Sequence, residues 1–319
     1  MRRRTHTLSS RFATKIREYI ELMHHLGKVF RVEEGHLYNF DAFCVKQGHD
    51  GPLTQQLALD FSYSVSDLGP CQYAKRYRII RGFANFLSTF EPQTESFDLH
   101  AVSVTPQRTP AYIYTDEEIL LLLQTVSRLR FRDPFRIATY QTLLGLIAST
   151  GLRIREALRL DLQDVDLSTG VLSIRGSKFR KSRLVPVHPT TCQWLQRYAQ
   201  KRAARGVPAD QPAFFVSHHL KRLAYPTINN IFQTLRRKAN LRSTTKRKPR
   251  IHDLRHTFAV RRVQEWYEAG VDVQTKLPLL ATYLGHAHFE DTAYYLDAGG
   301  ELLAKAAERF EQHRSRSHD

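Results

Sequence analysis

Tyr283-Leu284-Gly285-His286 and, nine positions after that histidine, Tyr295 of the pair Tyr294-Tyr295 make up the stretch around which the rest of the chain is read. Two further clusters lie upstream: His252-Asp253-Leu254-Arg255-His256, and Thr150-Gly151-Leu152-Arg153-Ile154-Arg155-Glu156. A tyrosine, two arginines and two histidines suit attack of a phenol on a phosphodiester. Guanidinium forks hold phosphate oxygens well, and a phenol with an ordinary pKa near ~10 becomes a nucleophile only where cations or a base surround it.

That chemistry needs a polyanion, and the composition supplies the attraction. The 319 residues carry 48 Lys and Arg against 31 Asp and Glu, a formal charge of +17. Solubility alone needs far less, so the excess points to nucleic acid. The length suits two domains with their own cores. No run approaches the ~18 apolar residues of a membrane span. Met1-Arg2-Arg3-Arg4 is followed by no apolar signal-peptide core, so a cytoplasmic protein is expected. Cys44, Cys71 and Cys192 show neither metal-ligand nor redox spacing and read as reduced, buried residues.

Residues 1–10 read as a basic arm. From residue 11 to about 105 the pattern is helical throughout, with Phe12, Ile16, Tyr19, Ile20 and Met23 at helical spacing. Leu37, Phe40 and Phe43 suggest a second helix, and Thr54 can cap a third. Tyr73, Tyr77, Ile80, Phe83 and Leu87 mark a fourth, whose outer face is read as carrying Lys75, Arg76, Arg78 and Arg81 toward phosphates. A Pro-interrupted stretch reads as a linker over 106–112, and a second domain is expected over 113–319.

In that second domain Thr115 and Glu118 fit a capping box. Residues 135–149 are apolar nearly all round and predict a core helix, ended at Thr150-Gly151. Val171-Leu172-Ser173-Ile174 and Leu184-Val185-Pro186-Val187 predict a hairpin with Lys178 at its basic tip, and Pro186 predicts an edge strand. Helices follow at 189–205 and 226–240. From Arg236 to Arg262 there are eleven Lys or Arg against one acid, Asp253. The last helix, 301–312, carries Leu302, Leu303, Ala306 and Phe310 as one stripe.

Read together, Thr150-Gly151-Leu152-Arg153, Lys178 in the hairpin, His252-Asp253-Leu254-Arg255, Leu284-Gly285-His286 and Tyr295 resemble, in order and approximate spacing, the catalytic domain of the tyrosine recombinases, the phage integrase family. The first domain is similar to the family's SAM-like core-binding domain in length, position and class. The fold implied is mostly α with a small antiparallel β-sheet, its two domains closing as a clamp on double-stranded DNA. Leu296 and Asp297 after Tyr295 look like the transposase-like members carried on mobile elements.

The resemblance implies roles residue by residue. Arg153 and Arg255 grip the nonbridging oxygens. His252 handles a proton or binds phosphate, and His286 hydrogen-bonds the phosphate. Glu156, three residues after Arg153, orients the basic side chains. Lys178 protonates the leaving 5′ oxygen, with Lys181 a rival three positions later and Arg175, Arg180 and Lys181 as neighbouring cations. Tyr295 is the nucleophile. Phosphate contacts are expected from Arg180, Lys181, Arg236, Arg237, Lys246, Arg247, Lys248 and Arg250. No cofactor or metal is implied. The family works as a tetramer on a Holliday junction, from a monomer or dimer without DNA, on the bacterial nucleoid. A tail such as 301–312 docks on a neighbouring protomer in the family; packing on its own domain is the alternative. A type IB topoisomerase shares the same catalytic domain and chemistry, and a DNA-binding regulator with a dead site is a third reading.

Overall fold

The computed structural model describes residues 7–102, 111–129, 131, 133–176, 182–208, 210–242 and 248–286. The chain divides into two compact units, Met1–Arg108 and Thr109–Asp319.

The first unit holds α1 (Ala13–His25), α2 (Arg31–Gln47), α3 (Gln55–Tyr63) and α4 (Pro70–Leu87). Thr54 caps α3, its Oγ1 accepting from the Leu57 amide at 3.2 Å, and Pro70 at the first turn of α4 uses a position where no N–H is needed. Phe12, Phe40, Phe61 and Phe83 are fully buried and pack ring against ring. Buried Asp41 accepts from the amides of Ser9 and Ser10 at 2.9 and 3.0 Å. The end of the expected basic arm is therefore tied to α2, while residues 1–6 lie outside the described residues.

Arg76 corrects the reading of α4. It is 5% exposed, stacks on the Phe61 ring at 4.0 Å, and donates to Phe61 O at 2.6 Å and Ser64 Oγ at 3.0 Å. Positions 76, 80, 83 and 87 follow the i, i+4, i+7, i+11 repeat of one helix face, so Arg76 belongs to the stripe of Ile80, Phe83 and Leu87. It is a core residue rather than a phosphate contact. Arg78 is exposed, and Lys75 and Arg81 are half-buried. The cysteines are free thiols and Cys44 is buried, as expected, but Cys71 is exposed and Cys192 half-buried.

The second unit is mostly helical around a small sheet. The expected capping box forms between Thr115 and Glu118 at the start of α5 (Asp116–Ser127). Asp133 caps α6 (Pro134–Thr150) by accepting from the Phe135 amide at 3.0 Å. Helix α6 is buried on several sides and packs against α5, α7 (Ile154–Arg159), α8 (Pro189–Ala204) and α10 (Ile251–Glu268). Strands β1 (Val165–Asp166), β2 (Val171–Ile174) and β3 (Arg183–Pro186) form an antiparallel sheet in that order, with Ile174 opposite Arg183 and Val171 opposite Pro186. Pro186 is thus on an edge strand, where a missing N–H breaks no ladder. The hairpin reading lacked β1 and started β3 one residue late. Helices α9 (Tyr225–Lys238) and α11 (Val273–Leu284) complete the described elements. The run Phe214-Phe215-Val216 is fully buried, its two rings against Tyr198. Among the described residues no helix is long and apolar enough to cross a membrane.

Gly151 ends α6 and Gly285 ends α11, both left-handed, with φ of 64° and 69°. They differ from Gly270 (φ 72°) in their surroundings. A Cβ on Gly270 meets nothing within 4 Å, whereas one on Gly151 falls 2.6 Å from Phe258 Cδ1 and 2.9 Å from Leu284 Cδ2. Gly270→Ala should therefore cost about 1–2 kcal/mol, the left-handed penalty alone, and Gly151→Ala clearly more. Both tryptophans, Trp194 and Trp266, lie in the second unit, so urea unfolding followed by tryptophan fluorescence reads the difference. Equal losses would show that Phe258 and Leu284 yield to the added methyl.

Candidate active site

The site is built on helix ends. The last carbonyls of an α-helix have no partner within it and carry the negative end of its dipole. At the end of α11 three consecutive carbonyls each take an arginine. Tyr283 O accepts from Arg183 Nε at 2.7 Å, Leu284 O from Arg255 Nη2 at 2.8 Å, and Gly285 O from Arg153 Nη2 at 2.9 Å. Arg153 Nη1 also reaches Leu284 O, at 3.4 Å. The end of α6 supplies a fourth acceptor, Gly151 O, to Arg255 Nη1 at 2.8 Å. Arg153 and Arg255, 102 positions apart in sequence (255 − 153), thus meet at one carbonyl. Arg255 is 1% exposed. Arg153 is half-buried, and these contacts and its bond to Glu156 take three of its five N–H donors.

Glu156 lies between two guanidiniums. It accepts from Arg153 at its amide (3.1 Å) and Nη1 (2.8 Å), and from both Nη atoms of Arg183 at 3.2 and 2.8 Å. Burial by itself raises its pKa. The hydrogen bonds and charge of Arg183, then of Arg153, outweigh burial and hold the carboxyl below its ordinary range, so it stays ionised. Among the described residues Arg153 and Arg183 share this one carboxylate, in a site largely withdrawn from water.

Three histidines join the arginines. His252 and His256 stand one turn apart on α10 with ring centroids 4.8 Å apart, edge to face. His286 follows Gly285, its amide bonded to Ala281 O at 2.9 Å, the bond pattern of a left-handed helix stop. Burial, then Arg255, Arg250 and Arg153, push His252 down to about 4. Solvent still reaches that ring, so the direction of the shift is what bears on the site. Burial, then His252 and Arg250, push His256 down to about 3, and burial, then Arg255 and Arg153, do the same for His286. At neutral pH each ring is uncharged, with one N–H to donate and one nitrogen to accept. His256 was not expected here.

Other expected residues fall elsewhere. Lys178, Arg180, Lys181, Lys246, Arg247 and Tyr295 lie outside the described residues, as does the helix expected over 301–312. Arg175 pairs with Asp164 at 2.7 Å. Arg250 pairs with Asp253 at 2.9 Å across the first turn of α10. Arg261 pairs with Asp116, and Arg262 with Glu265 at 2.7 Å. The basic run from Arg236 to Arg262 is therefore partly engaged within the second unit, while Arg237 and Lys248 are exposed and Arg236 is half-buried. Arg155 is exposed and faces the Tyr225 ring at 5.4 Å. The residue that sequence reading missed is Arg183. Its signal was the two-residue period of β3: Leu184 is 67% exposed and Val185 fully buried, so Arg183 shares the inward face of Val185.

The depressed histidines give stability a pH dependence. Their folded values lie below the unfolded value of about 6.5, so the unfolded chain takes up protons first as pH falls. Their contribution is full above about pH 6.5 and is lost toward the folded values. The upper limit is about 1.4 kcal/mol per pH unit for each ring, less where solvent screens. The urea midpoint should fall between about pH 7 and pH 5, and His286→Asn should flatten the fall. A midpoint constant across that window would refute neutral rings in the folded site.

Comparison with known proteins identifies the family. The model of the phage integrase family matches residues 113–300. A putative integrase/recombinase, y4rE, of Sinorhizobium fredii (strain NBRC 101917 / NGR234) is 42% identical over 296 residues, which cover 92% of this chain and 94% of the relative. The tyrosine recombinase XerC of Chlamydia caviae is 31% identical over 243 residues, 76% of this chain and 68% of that protein. Among solved structures, the XerH site-specific recombinase bound to its palindromic difH substrate in a post-cleavage complex aligns with a TM-score of 0.67 at 20% identity, over 88% of this chain and 79% of that one. That last likeness is one of fold. With the family matched over more than half of its length and a relative of 42% identity along nearly all of it, the chain belongs to the phage integrase family, the tyrosine recombinases.

Proposed function

We propose that the chain performs site-specific recombination by cleaving and rejoining duplex DNA through Tyr295. The observation that carries the reading is the meeting of Arg153 and Arg255 at Leu284 O, beside Glu156 and the neutral His286. Two fixed guanidinium forks can hold the two nonbridging oxygens as charge builds on them, in a setting where little reorganisation is needed. The Tyr295 oxygen attacks phosphorus, a bond forms between that oxygen and the 3′ phosphate, and the bond from phosphorus to the 5′ oxygen breaks. The phenol loses a proton, for which the bare nitrogen of His252 is a suitable acceptor, and Lys178 supplies one to the 5′ oxygen. Attack by a 5′ hydroxyl reverses each step, so the phosphotyrosyl link keeps the energy for rejoining.

Strand exchange between two duplexes in two rounds would pass through a Holliday junction held by four protomers. The exposed cations Arg78, Arg237 and Lys248 are suited to the flanking backbone, with Lys75, Arg81, Arg180, Lys181, Arg236, Lys246 and Arg247. In this proposal residues 11–105 serve as the core-binding domain and 113–319 as the catalytic one, in a cytoplasmic enzyme carried on a mobile element.

A nicked duplex bearing a site selected by the protein from a random-sequence pool tests the reading. The wild-type chain should form a covalent complex resistant to denaturant, with the adduct on Tyr295 by mass spectrometry. Tyr295→Phe should bind and form none, while Tyr294→Phe should still trap DNA. Arg153→Ala should slow trapping by roughly 10²–10³-fold with duplex affinity nearly kept. An adduct on any other residue, or equal loss of affinity in Arg153→Ala, would sink the assignment.

A further inference from the structure

We infer that Arg183 is a positioning residue for the cleavage step, acting through Glu156 on Arg153; this rests on the recombinase reading above. Arg183 opens β3 and is turned inward with a side-chain exposure of 9%. Its guanidinium closes a two-pronged fork on Glu156, while its Nε holds Tyr283 O. Arg153 gives the same carboxylate a single side-chain prong. The division of labour follows. Arg183 immobilises Glu156 through both carboxylate oxygens, and the fixed carboxylate helps to set the rotamer of Arg153, which keeps two of its five N–H donors for a phosphate beyond its bonds to Glu156, Leu284 O and Gly285 O.

The packing around Arg183 supports this. A Cβ on Gly285 would fall 2.7 Å from Arg183 Nη1 and 2.9 Å from its Cζ, so the guanidinium fills the space that glycine leaves. Tyr283 adds a second tie between α11 and β3, its hydroxyl donating to Pro186 O at 3.2 Å. The strand is thereby fixed to the same helix end that holds Arg153 and Arg255. Lysine, with one point charge, cannot span two carboxylate oxygens and a carbonyl in a plane. Without the fork, Glu156 is free to swing and takes Arg153 with it, and a displacement of about 1 Å at a reacting group can slow a step by about 10²-fold.

The test measures the single-turnover rate of covalent trapping against DNA concentration, using the selected nicked duplex, for Arg183→Lys, Arg183→Met, Glu156→Gln and the double variant. Arg183→Met should lower the rate at saturating DNA by roughly 100-fold while half-saturation stays within about threefold. Arg183→Lys should recover part of the rate. Because Arg183 acts through Glu156, the double variant should trap no more slowly than Glu156→Gln alone. That comparison also decides the matter if Arg183→Met fails to fold, since the double variant leaves no unpaired buried carboxylate. Losses that multiply, a rate near wild type in Arg183→Met, or a change in half-saturation alone would overturn the inference with the recombinase reading intact. No trapping by the wild-type chain would overturn the recombinase reading, and this inference with it.

Discussion

Three consecutive carbonyls at the end of α11, each bonded to a different arginine, are the constraint on which the second unit depends. A buried guanidinium is tolerable only when its donors find acceptors, and a buried helix end only when its carbonyls find donors. Here each solves the other's problem. The exchange works because Gly285 turns the chain into the left-handed region, so the last carbonyls point outward to side chains instead of to a further helical turn. Gly151 repeats the device at α6, and Arg255 links the two ends through Gly151 O and Leu284 O. Elements drawn from α6, β3, α10 and α11 are thereby locked around one cluster of charge.

The carboxylate and the carbonyls of the cluster play different parts. Glu156 is the acid bonded to Arg153 and Arg183, and the carbonyls supply only partial charges. Carbonyl dipoles can orient a guanidinium without cancelling it, which a second carboxylate would have done. Burial first, and then neighbouring charge, depress all three imidazoles. An anion entering such a site meets oriented donors and a positive potential together, the combination that stabilises charge developing on a phosphate.

Much of this was legible in the sequence, and the gaps have physical causes. The capping box at Thr115, the buried α6, the edge position of Pro186 and the helix stops at Gly151 and Gly285 each follow from local chemistry that little else can override. Placing His252 and Arg255 on one face of α10 needed only their spacing. Arg76 and Arg183 were misjudged or missed for a shared reason: charge was taken as a sign of exposure. In both cases the period of the element pointed inward, along Ile80, Phe83 and Leu87 for one and with Val185 for the other. A guanidinium on an apolar stripe is a prompt to look for buried acceptors, and Phe61 O, Glu156 and Tyr283 O are the ones it found. Strand β1 is only two residues long, too short for a period to show, and the partner of Arg261, Asp116, lies 145 positions away, which no local pattern encodes.

The two kinds of buried arginine also show how one residue type serves opposite ends. Arg76 meets a phenylalanine face, a carbonyl and a hydroxyl, with no carboxylate among these partners, and its pKa is lowered by burial. It is a structural cation in the first unit, held by dispersion and dipoles. Arg153 has similar dipolar partners but keeps a quarter of its side chain exposed, at 24%, and shares its carboxylate with Arg183. The difference lies in what remains to be satisfied. Arg76 sits against an aromatic wall and has nowhere to present a donor, whereas Arg153 is anchored from behind and open in front. Anchoring removes rotamer freedom before any ligand arrives, so the entropy of ordering the guanidinium is already spent in folding. A site that grips a phosphate only as its charge builds needs cations of this second kind, and α11, β3 and α7 supply one by anchoring Arg153 through three of its five N–H donors and leaving the other two for a ligand.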